Sequence, residues 1–117
     1  MAYDRRKLFA ELDRRLTAEP CLRLKQLARD LGVERHTIED IVQEIKSTTF
    51  RRYQKGKLLQ KTRVIIRKKP NSSGKEIAAE LGYRSSKSFS RFVKRATGWT
   101  MTEIRRRGIK LRLRQKL

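Results

Sequence analysis

The stretch SGKEIAAELGYRSSKSFSRFVKRATGWTMTEIR, residues 73–105, decides the fold. Ser73 followed three residues later by Glu76 is a capping box, in which side chains and orphan backbone N–H groups satisfy one another at a helix start. Ile77, Ala78 and Leu81 then share one face. Gly82 stops the helix, because glycine takes the left-handed conformation without steric cost. Ser85 caps the next helix, whose Phe89, Phe92, Val93 and Ala96 recur at i, i+3, i+4 and i+7. Its other face carries Ser86, Lys87, Ser90, Arg91, Lys94 and Arg95. Two short helices on a tight glycine turn, the second with a basic and small-polar outer surface, suit the major groove of duplex DNA. Thr100 and Glu103 form a further capping box and open a short third helix through about Arg107. Trp99, beside Gly98, is expected to plug the core rather than to stack on a ligand.

Residues 24–46 repeat this pattern. Leu27, Ala28, Leu31, Gly32 and Val33 align with Ile77, Ala78, Leu81, Gly82 and Tyr83 at an offset of 50. Ile38, Ile41, Val42 and Ile45 align with Phe89, Phe92, Val93 and Ala96 at an offset of 51, so the second turn is one residue longer. A repeat in which apolar positions, glycine and turn all coincide marks two copies of one supersecondary unit. Ahead of it, residues 3–18 read as an amphipathic helix with Leu8, Leu12 and Leu16 in a stripe beside Phe9, ended by Pro20. Between the units lies TFRRYQKGKLLQKTRVIIRKK, residues 49–69. Phe50, Tyr53, Leu58, Leu59, Thr62, Ile65 and Ile66 suit one face of a long linker helix. Val64-Ile65-Ile66 also suits a strand, although no pairing partner lies nearby. A helix of about 20 residues spans roughly 30 Å, and successive major-groove faces of B-DNA recur at about 34 Å. Such a rod is expected to carry two recognition helices to adjacent turns of one duplex. The expected domains are therefore residues 1–48, a linker at 49–69, residues 70–107 and a basic tail at 108–117, the tail being helical or frayed and drawn to phosphates.

The charge agrees with a polyanionic partner. The 117 residues hold 32 Lys and Arg against 12 Asp and Glu, a net of +20. Residues 1–50 contain 10 basic and 9 acidic side chains, and residues 51–117 contain 22 and 3, a break that a uniformly basic ribosomal protein would not show. Cys21 is the only cysteine, so no internal disulfide forms, and it reads as a partly buried small hydrophobe. No apolar run approaches 18 residues and the N-terminus is no secretory signal, so a cytoplasmic protein associated with the nucleoid is expected.

The chain resembles the DNA-binding domain of the AraC/XylS family of bacterial transcription regulators. The likeness rests on KQLARDLGV (25–33), on Phe50-Arg51-Arg52-Tyr53, and above all on KEIAAELGYRSSKSFSRFVKRATGWT (75–100). The family signature is matched by Ile77, Ala78, Gly82, Tyr83, Ser88, Phe89, Ser90, Arg91, Lys94, Gly98, Thr100 and Arg105. The resemblance covers roughly residues 8–106. It implies an all-α fold of homeodomain-like type: seven helices, as two helix-turn-helix subdomains joined by a long linker helix. Departures are Val42-Gln43 for the family's Phe-Lys, Ser47 for the following Gly, Leu58-Leu59 and Thr62 in the linker, Met101 for Pro and Ile104 for an aromatic.

Sequence-specific binding to double-stranded DNA is thus expected, with the second unit dominant. Arg91 and Lys87 are the choices for guanine O6 and N7, with Ser86 and Ser90 reaching bases or phosphate. In the first unit Arg35, His36 and Glu39 face outward. A carboxylate there accepts from cytosine N4, or turns toward water or a protein partner such as RNA polymerase or another regulator. Phosphate contacts are expected from Arg51, Arg52, Lys55, Lys75, Lys94 and Arg95. His36 is the only histidine and no metal-ligand spacing accompanies it, so neither metal nor cofactor is expected. No carboxylate pair, Cys/His or Ser/His/Asp arrangement suggests an enzyme. The rival readings are charge-dominated RNA or ribosome binding, against which stands the lack of an RNP strand or GXXG loop, and a protein-docking module on the acidic first recognition helix. Two units on one chain make a monomer the default, and only a short helix precedes them, so no small-molecule sensor domain is visible.

Overall fold

The computed structural model of the chain describes residues 4–107. Among them seven helices follow one another with no strand. They are α1 (Arg5–Ala18), α2 (Leu24–Leu31), α3 (Arg35–Lys46), α4 (Phe50–Lys68), α5 (Gly74–Leu81), α6 (Ser86–Thr97) and α7 (Met101–Arg107). The tail at 108–117 and residue 3, the expected start of α1, lie outside the described residues, as do the side chains of Arg105 and Arg107. Val64, Ile65 and Ile66 belong to α4, so the strand alternative falls. The chain divides into two compact units, Met1–Lys57 and Leu58–Leu117, with the division inside α4.

In the first unit α1 packs on α2 and α3, and α2 on α3. Asp4 caps α1 by accepting from the backbone N–H groups of Arg6 (2.9 Å) and Lys7 (3.2 Å), so the helix begins at Arg5. Leu12 and Leu16 bury completely against Leu27, Ala28, Ile38, Val42 and Phe50, while Leu8 stays half-buried. Each such leucine contributes about 1.5–3 kcal/mol by leaving water. A polar cluster joins α1 to the start of α4. Lys57 Nζ lies 2.5 Å from the Asp13 carboxylate and donates to Thr17 Oγ1 at 3.0 Å, and the Tyr53 hydroxyl donates to Asp13. The Gln54 side-chain amide donates to the carbonyls of Pro20 and Leu22, fastening the loop before α2 to the same helix.

In the second unit α6 packs on α5 and α7. The Ser73–Glu76 capping box is formed in both directions, with Glu76 N–H donating to Ser73 Oγ at 3.1 Å. Gly82 adopts φ 92°, and the N–H of Tyr83 returns to the carbonyl of Ala78 at 2.9 Å. Gly32 (φ 69°) and Val33 close α2 in the same way, on Ala28. Ile77, Phe89 and Val93 are fully buried. Tyr83 sets its ring 5.4 Å from Phe89 and 6.4 Å from Phe92, leaving Phe92 only half-buried. The repeat also runs further than the sequence pattern suggests. At the offset of 51, Phe50 corresponds to Met101 and Tyr53 to Ile104. Phe50, Met101 and Ile104 are buried, and Thr49 and Thr100 each cap the N–H three residues on.

Two expectations need correction. Trp99 is no plug: it is 36% exposed, because Gly98 at φ 86° turns the chain and α7 buries Met101 and Ile104 instead. Ile45 shares its register with buried Ala96 yet is 38% exposed, since its longer side chain runs past the core edge that an alanine methyl fills.

Candidate nucleic-acid interface

Ser85 opens α6, its hydroxyl accepting from the N–H of Ser88 at 3.2 Å. At 3.6 residues per turn, Phe89, Val93 and Ala96 point into the unit, which turns Lys87, Ser90, Arg91, Lys94 and Arg95 outward. These five are exposed, and Ser86, at the helix start, is half-buried. Lys94 Nζ donates to the Gly98 carbonyl at 3.2 Å, across the helix C-terminus. The side chains of Lys87, Ser90, Arg91 and Arg95 have no hydrogen-bond or ion-pair partner among the described residues. Four cations on one 12-residue helix, with no carboxylate among them, make a surface suited to phosphate and to guanine edges. Lys75 lies exposed in the first turn of α5.

The equivalent surface of α3 has the opposite sign. It too is 12 residues long. His36, Glu39, Asp40, Gln43 and Glu44 stand where α6 has Lys87, Ser90, Arg91, Lys94 and Arg95. Glu44 is paired with Arg5 of α1. The side chains of Glu34, Arg35, His36, Glu39, Asp40 and Gln43 are without partners among the described residues. Other carboxylates of this unit are engaged: Glu11 with Arg14 and Arg15, Asp30 with Arg15 at 2.6 Å, Asp13 with Lys57.

The linker candidates differ in exposure: Arg51 is exposed, and Arg52 and Lys55 are half-buried. Arg51 lines a hollow of about 390 Å³ with Arg23, Leu24, Glu39, Thr49, Phe50 and Gln54. A second hollow of about 260 Å³ is lined by Leu24, Glu34, Arg35, His36 and Glu39. The structure therefore brings Arg35, His36 and Glu39 together, and adds Arg23, which the helix-face pattern alone does not single out. Its signal is its place at the offset of 50 from Ser73, as the residue that opens α2. Among the described residues no group of three or more His, Cys, Asp and Glu could hold a metal ion, and no helix is long and apolar enough to cross a membrane.

A family model described as a helix-turn-helix domain matches residues 27–107. Among solved structures, the C-terminal domain of AraT, a response regulator from Geobacillus stearothermophilus, is similar over 96% of this chain and 88% of its own, with a TM-score of 0.73 and 19% identity. At that identity the likeness is one of fold. A search of the curated proteins found no match. Since the family match spans well over half of the chain and takes in the linker helix with both recognition helices, the chain belongs to the AraC-type helix-turn-helix family of DNA-binding transcription regulators.

Proposed function

We propose that this chain binds duplex DNA sequence-specifically, with α6 and α3 entering adjacent major grooves and α6 dominant. Arg91 and Lys87 read guanines, Ser86 and Ser90 reach bases or phosphate, and Arg35, His36 and Glu39 read for α3. Arg51, Arg52, Lys55, Lys75, Lys94 and Arg95 take phosphates. The observation that carries this reading is the outer face of α6, four cations against a buried apolar stripe. Charge distribution supports its dominance: residues 1–57 hold 14 basic and 9 acidic side chains, a net of +5, and residues 58–117 hold 18 and 3, a net of +15.

Selection of bound duplexes from a random pool, followed by titration of the best site, tests the proposal. Arg91→Ala is expected to cost about 1–3 kcal/mol of binding and to relax preference at one position. Asp40→Ala, at the equivalent position of α3, is expected to leave affinity no weaker, because it removes a negative charge. Equal losses from the two substitutions, or no enrichment over structured RNA, would overturn the proposal.

A further inference from the structure

We infer that Glu39 reads a cytosine, and that Arg23 and Arg51 hold the flanking phosphates that make a carboxylate tolerable there. This rests on the duplex-DNA reading above. Glu39 lines both of the hollows described above, together with Arg23 and Arg51 in one and with Arg35 in the other. It makes an ion pair with none of them. The carboxylates of Glu11, Asp13, Asp30 and Glu44 are each consumed by a cation of the unit, whereas Glu39 keeps its lone pairs open.

A carboxylate only accepts. In the major groove the donors are the amines of cytosine N4 and adenine N6, and adenine sets its N7 acceptor beside N6, where a second carboxylate oxygen meets repulsion. Cytosine presents no such neighbour. The obstacle to an acidic reader is repulsion from the phosphates, screened over a Debye length of about 8 Å at physiological salt. The Arg23 and Arg51 guanidiniums, which share a hollow with Glu39, offset that repulsion and, by gripping phosphates, fix the register of the base contact. Gln54 holds the Pro20–Leu22 loop to α4, so Arg23 and Arg51 are presented from one fastened frame. Asp40, the neighbouring acid, lines neither hollow.

The test is selection from a random duplex pool with the full chain as wild type, Glu39→Gln, Arg23→Ala and Arg91→Ala. Wild type is expected to enrich a cytosine at one position outside the α6 half-site. Glu39→Gln is expected to convert that position to adenine, since an amide supplies both the donor and the acceptor that adenine N6 and N7 require. Arg23→Ala is expected to weaken every sequence by on the order of tenfold without changing base preference, and to lower the salt slope by about one. An unchanged pool for Glu39→Gln, or an Arg23→Ala effect confined to one sequence, overturns the inference. A changed pool for Arg91→Ala in the same experiment leaves the duplex reading standing. A wild-type chain that enriches nothing overturns both.

Discussion

Helices α3 and α6 are one design executed twice, twelve residues each at an offset of 51, with opposite charge on their outer faces. Their inner faces agree in kind: Ile38 and Phe89 are both buried, as are Val42 and Val93. The lesson is that burial fixes the fold and leaves the outer surface free to differ, so two copies of one scaffold can take different shares of binding. A cationic helix gains affinity from every phosphate it meets. An acidic one gains only where a base donor faces it, and so contributes discrimination more than affinity. The units also differ in how their helices begin. Ser73 and Ser85 cap α5 and α6 with side chains, whereas Arg23 and Glu34 give α2 and α3 no side-chain cap. The first unit has instead the Asp13–Tyr53–Lys57 cluster.

The largest expected effect tests whether the two units stand independently. Phe89→Ala removes a fully buried ring from the second unit and is expected to cost about 3–5 kcal/mol. That is comparable with the whole stability of a unit of some 60 residues, at about 0.05–0.15 kcal/mol per residue. Amide exchange should then accelerate through α5, α6 and α7 while α1, α2 and α3 keep their protection. Equal loss in both units would show that α4, which the two share, makes them unfold as one and would break the comparison.

A smaller effect belongs to the first unit alone. Tyr53→Phe deletes the hydroxyl that donates to Asp13 and is expected to cost about 1 kcal/mol in urea denaturation. It also changes the response to alkali. Burial first, then the hydrogen bond to Asp13 and its negative charge, hold the Tyr53 hydroxyl above its ordinary pKa near 10. The folded chain therefore holds this proton more tightly than the unfolded chain does. The associated stability is complete below pH 10 and is lost as pH rises above it. The phenylalanine variant lacks that component, so its deficit relative to wild type should narrow above pH 10. Asp13 acts at the other extreme. Burial raises its carboxyl pKa, but the bonds from Lys57 and Tyr53 outweigh this and hold it below the usual range, so its contribution fades only as the pH falls below about 4.

Local signals carried most of the fold. The Ser73–Glu76 box, Gly32 and Gly82, and the apolar spacing on α6 are all decided within four or five residues of chain, and each formed as the pattern implies. What local pattern does not hold is where distant side chains meet. Tyr53 and Asp13 are 40 positions apart, and nothing in either neighbourhood marks the pair. Arg23 joins Glu39 and Arg51 at one hollow only because Gln54 draws the loop before α2 onto α4. Trp99 misleads for the same reason. Its place beside Gly98 suggests a core plug, but the left-handed turn at that glycine passes the role to Met101 and Ile104. The outward residues of α3 and α6 were legible because a helix face follows directly from spacing.

The smallest expected effect lies at the last residue of each recognition unit's turn. Ser47 closes α3 at φ 55° and ψ 37°, and it is the only residue other than glycine with positive φ among the described residues. Its equivalent after α6 is Gly98, at φ 86°. A side chain in the left-handed region costs roughly 1–2 kcal/mol through crowding of Cβ against the following carbonyl. Glycine removes that cost but loses about 0.5–1 kcal/mol more backbone entropy on folding. The serine hydroxyl makes no hydrogen bond among the described residues, and the N–H that donates to Gln43 O at 3.0 Å is backbone, so the substitution forfeits neither. Ser47→Gly is therefore expected to stabilise the first unit by about 0.5–1 kcal/mol, and Gly98→Ser to destabilise the second by a similar amount. Urea midpoints for the two single variants read both signs. If Ser47→Gly instead weakens the first unit, the two helix ends are not equivalent, and the register that pairs Asp40 with Arg91 loses its anchor at that end.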